Sequence, residues 1–567
     1  MSERPGTSDS GLGLIRRGMR RQRRHLLRGY PFMTSWHLCE TSVPIVIGFV
    51  IDRGVANRDV GSFASSLLVL VAVFVTLALS YRIGSRFIVR AIEDESHRLR
   101  TEVAGHVLDP RGVRTDLLSG EVLSLATSDA SLVPVVFRQI AFAVAASVSL
   151  TAAAVYLIWV DLAVGLVVLI GVPAIVAIIQ VASPLVARRT HAQQERTATA
   201  TGLATDLVQG LRPLKGIGGE DVATARYRGA SQDAAGATIG LARSWGYLTG
   251  MTTGLSGVLL AVVVLLAGTR ALDGDITIGQ LIAVVGLAQF LAEPITALGE
   301  LSAEFARSRA SAQRIVDFMR TPALVAAGER HPTGDAPQLS LCGVTAGPIE
   351  QLDLFTSDGT LVAVVVEEPT VSDAVVAVVS GELEVEAGTA SFGGVELTDL
   401  AVPARRGALV VTDHDASVAD GTVRSIVDPT GDIDDETLAA VLDASAADDV
   451  VALHPDGLDR VVREGATTLS GGQRQRLILA RALAADPPVL LLQDPTSAVD
   501  AVTEHEVADG LARLRRRPGR ATVVITSSPA VLRVADHVVH VRGGSVHATG
   551  THDELLDDPA YREAVLR

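Results

Sequence analysis

A serine and two glycines in succession, followed by an amide, are the residues of this 567-residue chain best suited to bind a ligand. They form the stretch Ser470-Gly471-Gly472-Gln473, and Arg474-Gln475-Arg476 continues from them as the start of a helical pattern. Backbone N–H groups at a helix N-terminus favour anions such as phosphate, and glycine allows close approach to the backbone. The pattern therefore predicts a phosphate contact here. The alternative is a glycine-rich helix start that binds no ligand.

A hydrophobic strand, Val489–Leu492, follows this helix, and the acidic loop Asp494–Asp500 follows the strand. Together with the Leu-Ser-Gly-Gly-Gln motif, these elements resemble the nucleotide-binding domain of an ATP-binding cassette (ABC) transporter of the exporter type. The stretch Ala535–Leu555 is similar to the C-terminal pattern of such exporters. The resemblance implies ATP and Mg²⁺ as cofactors and an α/β fold for this part of the chain.

A nucleotide-binding domain of this family needs a phosphate-binding loop after a strand, with glycines, a lysine and a hydroxyl that holds Mg²⁺. The strand is present as Leu361–Val365, but the residues after it differ from the family pattern. The glycine positions hold Val366 and Val371, the lysine position holds Ser372, and the hydroxyl position holds Asp373.

Charge in this loop also opposes nucleotide binding. Glu367, Glu368 and Asp373 are expected to place negative charge where the triphosphate would lie, so that Coulomb repulsion replaces attraction. Pro369 has no N–H group to donate. We therefore expect this chain's own site to bind no ATP.

The resemblance assigns four further positions of the same site, and each departs from the family residue. His414 replaces the glutamine that senses the γ-phosphate, and Gln493 replaces the aspartate that organises the metal. Asp494 replaces the glutamate that polarises water, and Ser527 replaces the switch histidine. We expect no ATPase activity from this chain alone.

In this family two nucleotide-binding domains hold ATP head to tail, each with its own phosphate loop and its partner's signature motif. The resemblance therefore implies that Ser470, Gly471, Gly472 and Gln473 contact the partner's nucleotide, with Asp500 ordering the partner's catalytic elements. The expected partner is a half-transporter with an intact phosphate loop, which would hold most of the ATP and Mg²⁺. This predicts a heterodimer.

Before residue 310 the chain reads as a membrane domain. Hydrophobic residues make up 48% of the chain, the mean hydropathy is +0.35, and five apolar runs nearly lack charge. With a weaker first run they predict six membrane-spanning helices, since a span needs about 20 apolar residues. The six are Tyr30–Val50, Leu67–Leu79, Ala141–Val160, Leu162–Ala182, Leu255–Gly268 and Ile276–Leu291. The net charge of −15 argues against a nucleic-acid partner.

Arginines crowd the segment before the first span, which places the N-terminus and the nucleotide-binding domain in the cytoplasm of a multi-pass cell-membrane protein. We predict a basic, interfacial segment at 1–29, a transmembrane domain at 30–320, a linker at 321–337 and the degenerate nucleotide-binding domain at 338–567. Long cytoplasmic helix extensions are expected to turn at Asp109–Glu121 and Gly210–Glu220. These corners are either coupling helices or ordinary helix–turn–helix corners.

Five polar or aromatic residues on the first and sixth spans are candidates for a substrate cavity: Trp36, His37, Glu40, Gln289 and Glu293. Carboxylates inside a membrane are costly and often functional, and a pair of them would favour cationic or amphipathic substrates. Alternatively, Glu40 and Glu293 bond to neighbouring helices or to Arg138, or lie at headgroup level.

Three functions stay open at this point. The one that we favour is the degenerate half of a heterodimeric exporter of an amphipathic small molecule, lipid or peptide. A siderophore-type importer on the same fold is the second, and a non-transporting pseudo-ATPase that regulates another membrane protein is the third. The retained signature motif argues against the third.

Overall fold

The computed structural model describes residues 10–566 except 56–59, 291, 327, 334–337, 415 and 464–468. Helix side chains are described except at 55, 182–183, 185, 187, 292–300 and 302–303. The chain divides into two units. The first consists of Met1–His106 and Asp116–Arg320, and the second of Val107–Thr115 and Thr321–Arg567.

The described part of the first unit is helical apart from short connections. Its helices are α1 (Gly11–Arg21), α2 (Arg23–Val50), α3 (Val60–Val107), α4 (Ser119–Ser124), α5 (Ala130–Leu132), α6 (Val136–Val160), α7 (Leu162–Gln209), α8 (Leu211–Gly216), α9 (Glu220–Asp273), α10 (Ile278–Phe290) and α11 (Ala292–Met319). A π-helical stretch, Ile51–Val55, continues α2.

In the described residues, five helical stretches are long and apolar enough to cross a membrane: Arg23–Gly54, Val60–Val107, Ser119–Val160, Leu162–Val181 and Glu220–Asp273. Each corresponds to one of the first five predicted spans. The sixth predicted span corresponds to α10, which has only 13 residues and ends just before residue 291, outside the described residues. A span needs about 20 residues, so the count of six stays a prediction.

Both predicted corners interrupt the long helices where expected. Between α3 and α4 the carboxylate of Asp109 accepts the N–H of Arg111 at 3.0 Å, and Gly112 adopts a φ of +66°. That backbone conformation suits glycine, because it has no Cβ. Between α7 and α9 the short helix α8 is followed by Gly218 with a φ of +65°. The coupling role of these corners stays a prediction.

The N-terminal arginine-rich segment begins with α1, whose apolar face is covered by protein. Leu14 and Ile15 are buried, and α1 packs against α11. The N–H of Gly11 donates to the side-chain oxygen of Gln313 at 2.8 Å. This face of the segment is therefore occupied by a helix of its own unit, and the interfacial placement of the segment stays a prediction.

The second unit combines helices and strands, as the sequence predicts for an α/β domain. The strands are β1 (Leu339–Ala346), β2 (Ile349–Phe355), β3 (Leu361–Val366), β4 (Ala387–Phe392), β5 (Val395–Glu396), β6 (Leu409–Thr412), β7 (Gly421–Thr422), β8 (Val461–Val462), β9 (Val489–Gln493), β10 (Ala521–Ile525), β11 (His537–Arg542) and β12 (Ser545–Gly550). The helices are α12 (Pro369–Ser380), α13 (Val402–Ala408), α14 (Val423–Val427), α15 (Asp435–Ala444), α16 (Asp448–Ala452), α17 (Gly471–Ala484), α18 (Ala501–Arg515), α19 (Pro529–Val534), α20 (His552–Leu555) and α21 (Pro559–Val565).

A six-stranded sheet with the order β12-β11-β3-β10-β9-β6 forms the centre of this unit. Its strands are parallel except for the edge strand β12. The carboxyl ends of parallel strands meet at one edge of a sheet, which is where ligands bind in open α/β folds. The residues that follow β3, β6, β9 and β10 therefore converge. A second sheet has the strand order β2-β1-β4-β5. In it, β1 pairs in antiparallel orientation with β2 and β4.

A buried arginine at the end of α18 ties this helix to the opposite edge of the sheet. The side chain of Arg515 is 2% exposed and donates to Asp486 at 2.9 Å and to the carbonyls of Pro487 and Ala521 at 2.7 and 3.1 Å. Burial lowers the pKa of Arg515 to about 10, and the arginine stays charged at neutral pH. The surrounding acceptors depend on it, since a buried acceptor without a donor is costly.

Replacing this arginine tests how much the buried cluster stabilises the unit. We expect Arg515→Met to destabilise it by about 3 kcal/mol, because carbonyl acceptors are left buried without donors. Arg513→Met is the matched control, since Arg513 pairs with Asp443 between two exposed side chains and such pairs contribute about 0–1 kcal/mol. Thermal unfolding of the full chain in detergent measures both. Equal losses in melting temperature would show that the buried cluster stabilises the unit no more than an exposed ion pair does.

Candidate functional site

A cavity of about 690 Å³ lies at the carboxyl edge of the six-stranded sheet. The sequence-predicted residues that line it are Val366, Ser372, Asp373, His414, Gln493, Asp494 and Ser527. The sheet explains this convergence, because these residues follow or end four of its parallel strands or begin α12. Val371 does not line the cavity and is buried in the core cluster of the unit.

The connection between β3 and α12 is only two residues long. Strand β3 ends at Val366 and helix α12 begins at Pro369, which leaves Glu367 and Glu368 between them. Proline favours the first helical position, because its fixed φ suits a helix and its missing N–H would be unpaired there. The N–H groups of Val371 and Ser372 donate to the carbonyl of Glu368 at 3.0 and 3.2 Å. Residues aligned with the phosphate-binding loop thus form the first turn of a helix.

The two glutamates of this connection do not line the cavity, contrary to the sequence-based expectation. The carboxylate of Glu367 lies 3.2 Å from Nε2 of His540 and 3.5 Å from Nε of Arg542. The carboxylate of Glu368 accepts the N–H of Gly543 at 3.2 Å. The reason is that β11 runs beside β3 and its end supplies donors to both carboxylates. Only the third predicted carboxylate, that of Asp373, faces the cavity.

The side chain of Gln493, at the end of β9, joins three segments. Its amide nitrogen donates to the hydroxyl of Ser372 at 3.0 Å and to the carboxylate of Asp373 at 2.7 Å. Its amide oxygen accepts the backbone N–H of His414 at 3.2 Å. The residue is only 6% exposed. Both N–H donors and the oxygen of this amide are therefore used by neighbours within the domain.

Negative charge dominates the lining of the cavity. Four carboxylates contribute to it, from Asp373, Glu382, Asp413 and Asp494, and His414 is the basic residue among the lining residues. Burial raises the pKa of Asp494 above its ordinary value, with a further increase from the charge of Asp373, while His414 acts in the opposite direction. Asp494 also adopts a φ of +45°, which is strained for a residue with a Cβ.

The signature motif lies at the N-terminus of α17 and is exposed there. The Ser470 hydroxyl accepts the N–H of Gln473 at 3.2 Å, and the Gln473 side chain accepts the N–H of Ser470 at 3.1 Å. This reciprocal pair is a capping box, which fixes the start of the helix. The N–H groups of Gly471 and Gly472 belong to the first turn, where a helix offers them no acceptor of its own.

The acidic loop after β9 is fastened to the same helix. Gln475 donates to the hydroxyl of Ser497 at 2.7 Å and accepts the N–H of Ala498 at 2.8 Å. A Cβ on Gly472 would lie 2.7 Å from the carbonyl oxygen of Ala498, so the loop requires glycine there. Gln475 was not predicted as a site residue. The sequence near Gln473 does not indicate this role of Gln475, because the role depends on contacts with a loop of the same domain that is distant in sequence.

Asp500 ends this loop and caps α18. Its carboxylate accepts the N–H groups of Val502 and Thr503, both at 3.1 Å, and the hydroxyl of Thr503 at 2.8 Å. These hydrogen bonds lower the pKa of Asp500. Its oxygens are thus occupied within this chain. The predicted action of Asp500 on a partner stays a prediction.

The four candidate substrate residues whose side chains the structure describes do not line a common cavity among those found in the described residues. The ring of Trp36 lies 5.0 Å from that of Tyr81 and 5.9 Å from that of Phe142, and His37 is buried. These contacts place Trp36 and His37 among α2, α3 and α6. Gln289 is exposed on α10, and the side chain of Glu293 lies outside the described residues.

An apolar cavity of about 820 Å³ lies beside another face of α2. Its lining includes Thr34, Ser35, Leu38 and Thr41 from α2 and Val144 and Val148 from α6. Trp36, His37, Glu40 and Gln289 are not among its lining residues. The sequence did not indicate this cavity, because no charged or aromatic pair marks it.

Comparisons with known proteins match both units. Residues 36–295 match the family model of the ABC transporter transmembrane region, and residues 374–497 match that of the ABC transporter. A solved structure of a bacterial Atm1-family ABC exporter with ATP bound superposes with a TM-score of 0.77 over 97% of this chain and 98% of that one, at 20% identity. The two family matches together cover more than half of the chain.

Two relatives illustrate the range of similar proteins. A multidrug efflux ATP-binding/permease protein of Mycobacterium tuberculosis is 28% identical over 553 residues, which are 96% of this chain but 46% of that protein. An ATP-dependent lipid A-core flippase of Chromohalobacter salexigens is 25% identical over 526 residues, which are 90% of this chain and 89% of that protein. The chain thus spans about half the length of its mycobacterial relatives.

The predicted family is confirmed by these matches. One transmembrane region is followed by one nucleotide-binding domain, and the order and fold of the two are those of an exporter. The chain belongs to the ABC transporter family, and its fold is of the exporter type.

Proposed function

We propose that this chain is the catalytically degenerate half of a heterodimeric ABC exporter, which completes the ATP site of a partner with an intact phosphate loop. The hydrogen bonds of Gln493 are the observation that carries this proposal. The partner would hold most of the ATP and Mg²⁺. The complex would lie in the cell membrane with the N-terminus and the nucleotide-binding domain in the cytoplasm.

The interior of the chain's own site supports the first half of the proposal. In the family, the positions of Asp373 and Gln493 hold or organise Mg²⁺ and that of His414 senses the γ-phosphate. Here the neutral amide of Gln493 is already bonded to the other two residues. A triphosphate would also meet the carboxylates of the lining. One pair of like charges about 5 Å apart costs about 3 kcal/mol at an effective dielectric constant of about 20. No lysine or arginine is among the described lining residues to offset this repulsion.

The backbone of the site also supports the proposal that this chain's own site binds no ATP. A phosphate-binding loop cradles its ligand with unpaired N–H groups. In this chain Pro369 has no N–H, and those of Val371 and Ser372 donate to a carbonyl of their own turn. Among the described residues, the site therefore offers fewer backbone donors than a phosphate-binding loop, and its lining holds no lysine.

The signature helix supports the second half of the proposal. Its N-terminus is exposed and rigidly capped, and first-turn N–H groups carry partial positive charge that favours phosphate. Donors that are already oriented act most strongly on charge that develops during a reaction. We infer that Ser470, Gly471, Gly472 and Gln473 contact the γ-phosphate held by the partner.

The mycobacterial multidrug efflux proteins are about twice the length covered by this chain. We infer that a second transmembrane region and a second nucleotide-binding domain complete the transporter here. Relatives named for multidrug efflux and for lipid A-core flipping, and the apolar cavity beside α2, favour an amphipathic small molecule, lipid or peptide as substrate.

The first test concerns the lone subunit. Purified without its partner, the chain is expected to show no ATP hydrolysis above that of a heat-inactivated sample, because a homodimer would contain two unusable sites. Co-expression with a half-transporter that has an intact phosphate loop is expected to restore turnover, measured as phosphate release. Vanadate-sensitive hydrolysis by the lone chain would contradict the proposal.

The second test separates the signature motif from this chain's own site. In the heterodimer, Gly471→Asp and Ser470→Ala are expected to lower the ATPase rate, the former by at least about 100-fold, since charge repulsion replaces an anion contact. Ser372→Ala is expected to change the rate less than about twofold. All are measured as kcat of the purified complex.

Loss of a helix cap alone needs its own control, because replacing a capping serine costs about 1 kcal/mol of stability. Thr551 and Glu554 form a second capping box at α20 of the same unit. Thr551→Ala therefore removes an equivalent cap away from the proposed phosphate contact. If Thr551→Ala and Ser470→Ala lowered the ATPase rate alike, the effect would be one of folding, and the proposed trans contact would be wrong.

The third test measures how many nucleotides the complex holds. We expect one Mg-ATP for each heterodimer by equilibrium binding, and we expect Ser372→Lys to leave this number unchanged. A single lysine restores neither the backbone donors nor the metal ligands. A stoichiometry of two in the unaltered complex would contradict an empty site on this chain.

A further inference from the structure

Two histidines and an aspartate lie together on one face of the six-stranded sheet and are not among the lining residues of the proposed nucleotide site. His540 is on β11, His547 is on β12, and Asp558 caps α21. One potential ligand atom of each lies within 4.8 Å of those of the other two. The rings of His540 and Tyr561 are 5.5 Å apart, so α21 covers the cluster.

His540 is fully buried, and its two ring nitrogens differ. Nε2 lies 3.2 Å from the carboxylate of Glu367, while Nδ1 is buried and is among the described atoms without a hydrogen-bond partner. A buried polar atom without a partner is unfavourable, and a bound ion would supply one. The ion pair between His547 and Asp558, at 3.1 Å, does not satisfy this nitrogen.

We propose that His540, His547 and Asp558 bind a divalent transition-metal ion of the zinc class. Two imidazoles and a carboxylate are a ligand set that suits Zn²⁺, with water in the fourth position. Ligand atoms around a tetrahedral ion with bonds of about 2.1 Å are about 3.4 Å apart. The three ligand atoms, which lie within 4.8 Å of one another, would have to approach to about this spacing when an ion binds.

Glu367 supports the site from outside. A histidine that binds a metal commonly donates its other N–H to a carboxylate, which fixes the tautomer and orients the ring. The Nε2–Glu367 contact has this form, and we assign the ion to Nδ1, which has no hydrogen-bond partner among the described atoms. Arg542, 3.5 Å from Glu367, in turn holds the carboxylate.

The cluster is also accessible to an ion from solvent. The side chains of His547 and Asp558 are 41% and 26% exposed, although His540 is buried. One oxygen of Asp558 accepts the N–H of Ala560 at 2.9 Å and caps α21, while the other faces His547. The second oxygen is therefore placed to bind a metal without loss of the cap.

The ion would fasten four parts of the second unit to one point. It would join β11, β12 and α21 directly and, through Glu367, the short connection between β3 and α12. The site would thus stabilise the edge of the sheet beside the proposed empty nucleotide site. It does not depend on the proposed function, since neither heterodimer formation nor ATP enters the argument.

The test is direct metal binding to the full chain, purified in detergent without a histidine tag and treated with a chelator. Zn²⁺ is titrated calorimetrically, and Co²⁺ is followed by its visible absorption, which reports coordination by nitrogen and oxygen. We expect one high-affinity ion for each chain and a higher melting temperature with Zn²⁺ present.

Three variants and a control locate the ion. His547→Ala and Asp558→Asn are expected to weaken binding at least tenfold and to abolish the thermal shift, and Asp558→Asn keeps an oxygen for the cap of α21. Glu367→Gln is expected to weaken binding about tenfold through the orientation of His540. His537→Ala, on the exposed end of the same strand, is expected to bind normally.

Two results would overturn the proposal. One is the absence of Zn²⁺ binding at micromolar concentration by the unaltered chain. The other is binding that is equally strong in His547→Ala and Asp558→Asn, because the ion would then lie elsewhere. Melting temperatures without metal show that the variants are folded, so that weaker binding reports the site itself.

Discussion

The two N–H donors of the Gln493 amide hold the start of α12 against the end of β9, and the rest of the site follows from this interaction. In the family pattern a hydroxyl stands at the position of Asp373 and an aspartate at that of Gln493, with Mg²⁺ near both. Here the carboxylate is on the helix and a neutral amide is on the strand. An amide donates to a carboxylate, whereas two facing carboxylates repel each other unless a cation separates them. In the proposed function, this amide contact stands where a metal ion would otherwise join the two positions.

The backbone at the start of α12 also differs from that of a phosphate-binding loop. With only Glu367 and Glu368 between β3 and α12, the helix starts at Pro369 and its first N–H groups are used within the turn. Val371 packs into the core, where the family has a glycine beside a phosphate. In the proposed function, chain geometry as well as side-chain charge prevents phosphate binding, which is why we expect one restored lysine to have no effect.

Much of this organisation could be predicted from the sequence, because it depends on local patterns. The apolar runs, the Gly- and Pro-containing corners and the capped helix at Ser470 are features of neighbouring residues, and the structure has them where the sequence places them. The orientation of Glu367 could not be predicted in this way. It depends on His540, which is distant in sequence and adjacent only because β11 pairs with β3. Similarly, the face of α2 that borders a cavity depends on where α6 packs, so the aromatic and acidic pattern at Trp36–Glu40 did not locate it.

Two helix N-termini in the second unit differ in what they can bind. Both α12 and α17 begin with the partial positive charge of a helix dipole, equivalent to about half an elementary charge. At α12 that end is closed by a proline, a buried valine and a carboxylate, all within the first turn or two. At α17 it is open, because Ser470 and Gln473 cap each other and leave the glycine N–H groups exposed between them. The same backbone physics therefore gives one end that binds its own chain and another that is suited to phosphate from outside. This difference supports a subunit that contributes to an ATP site without forming one.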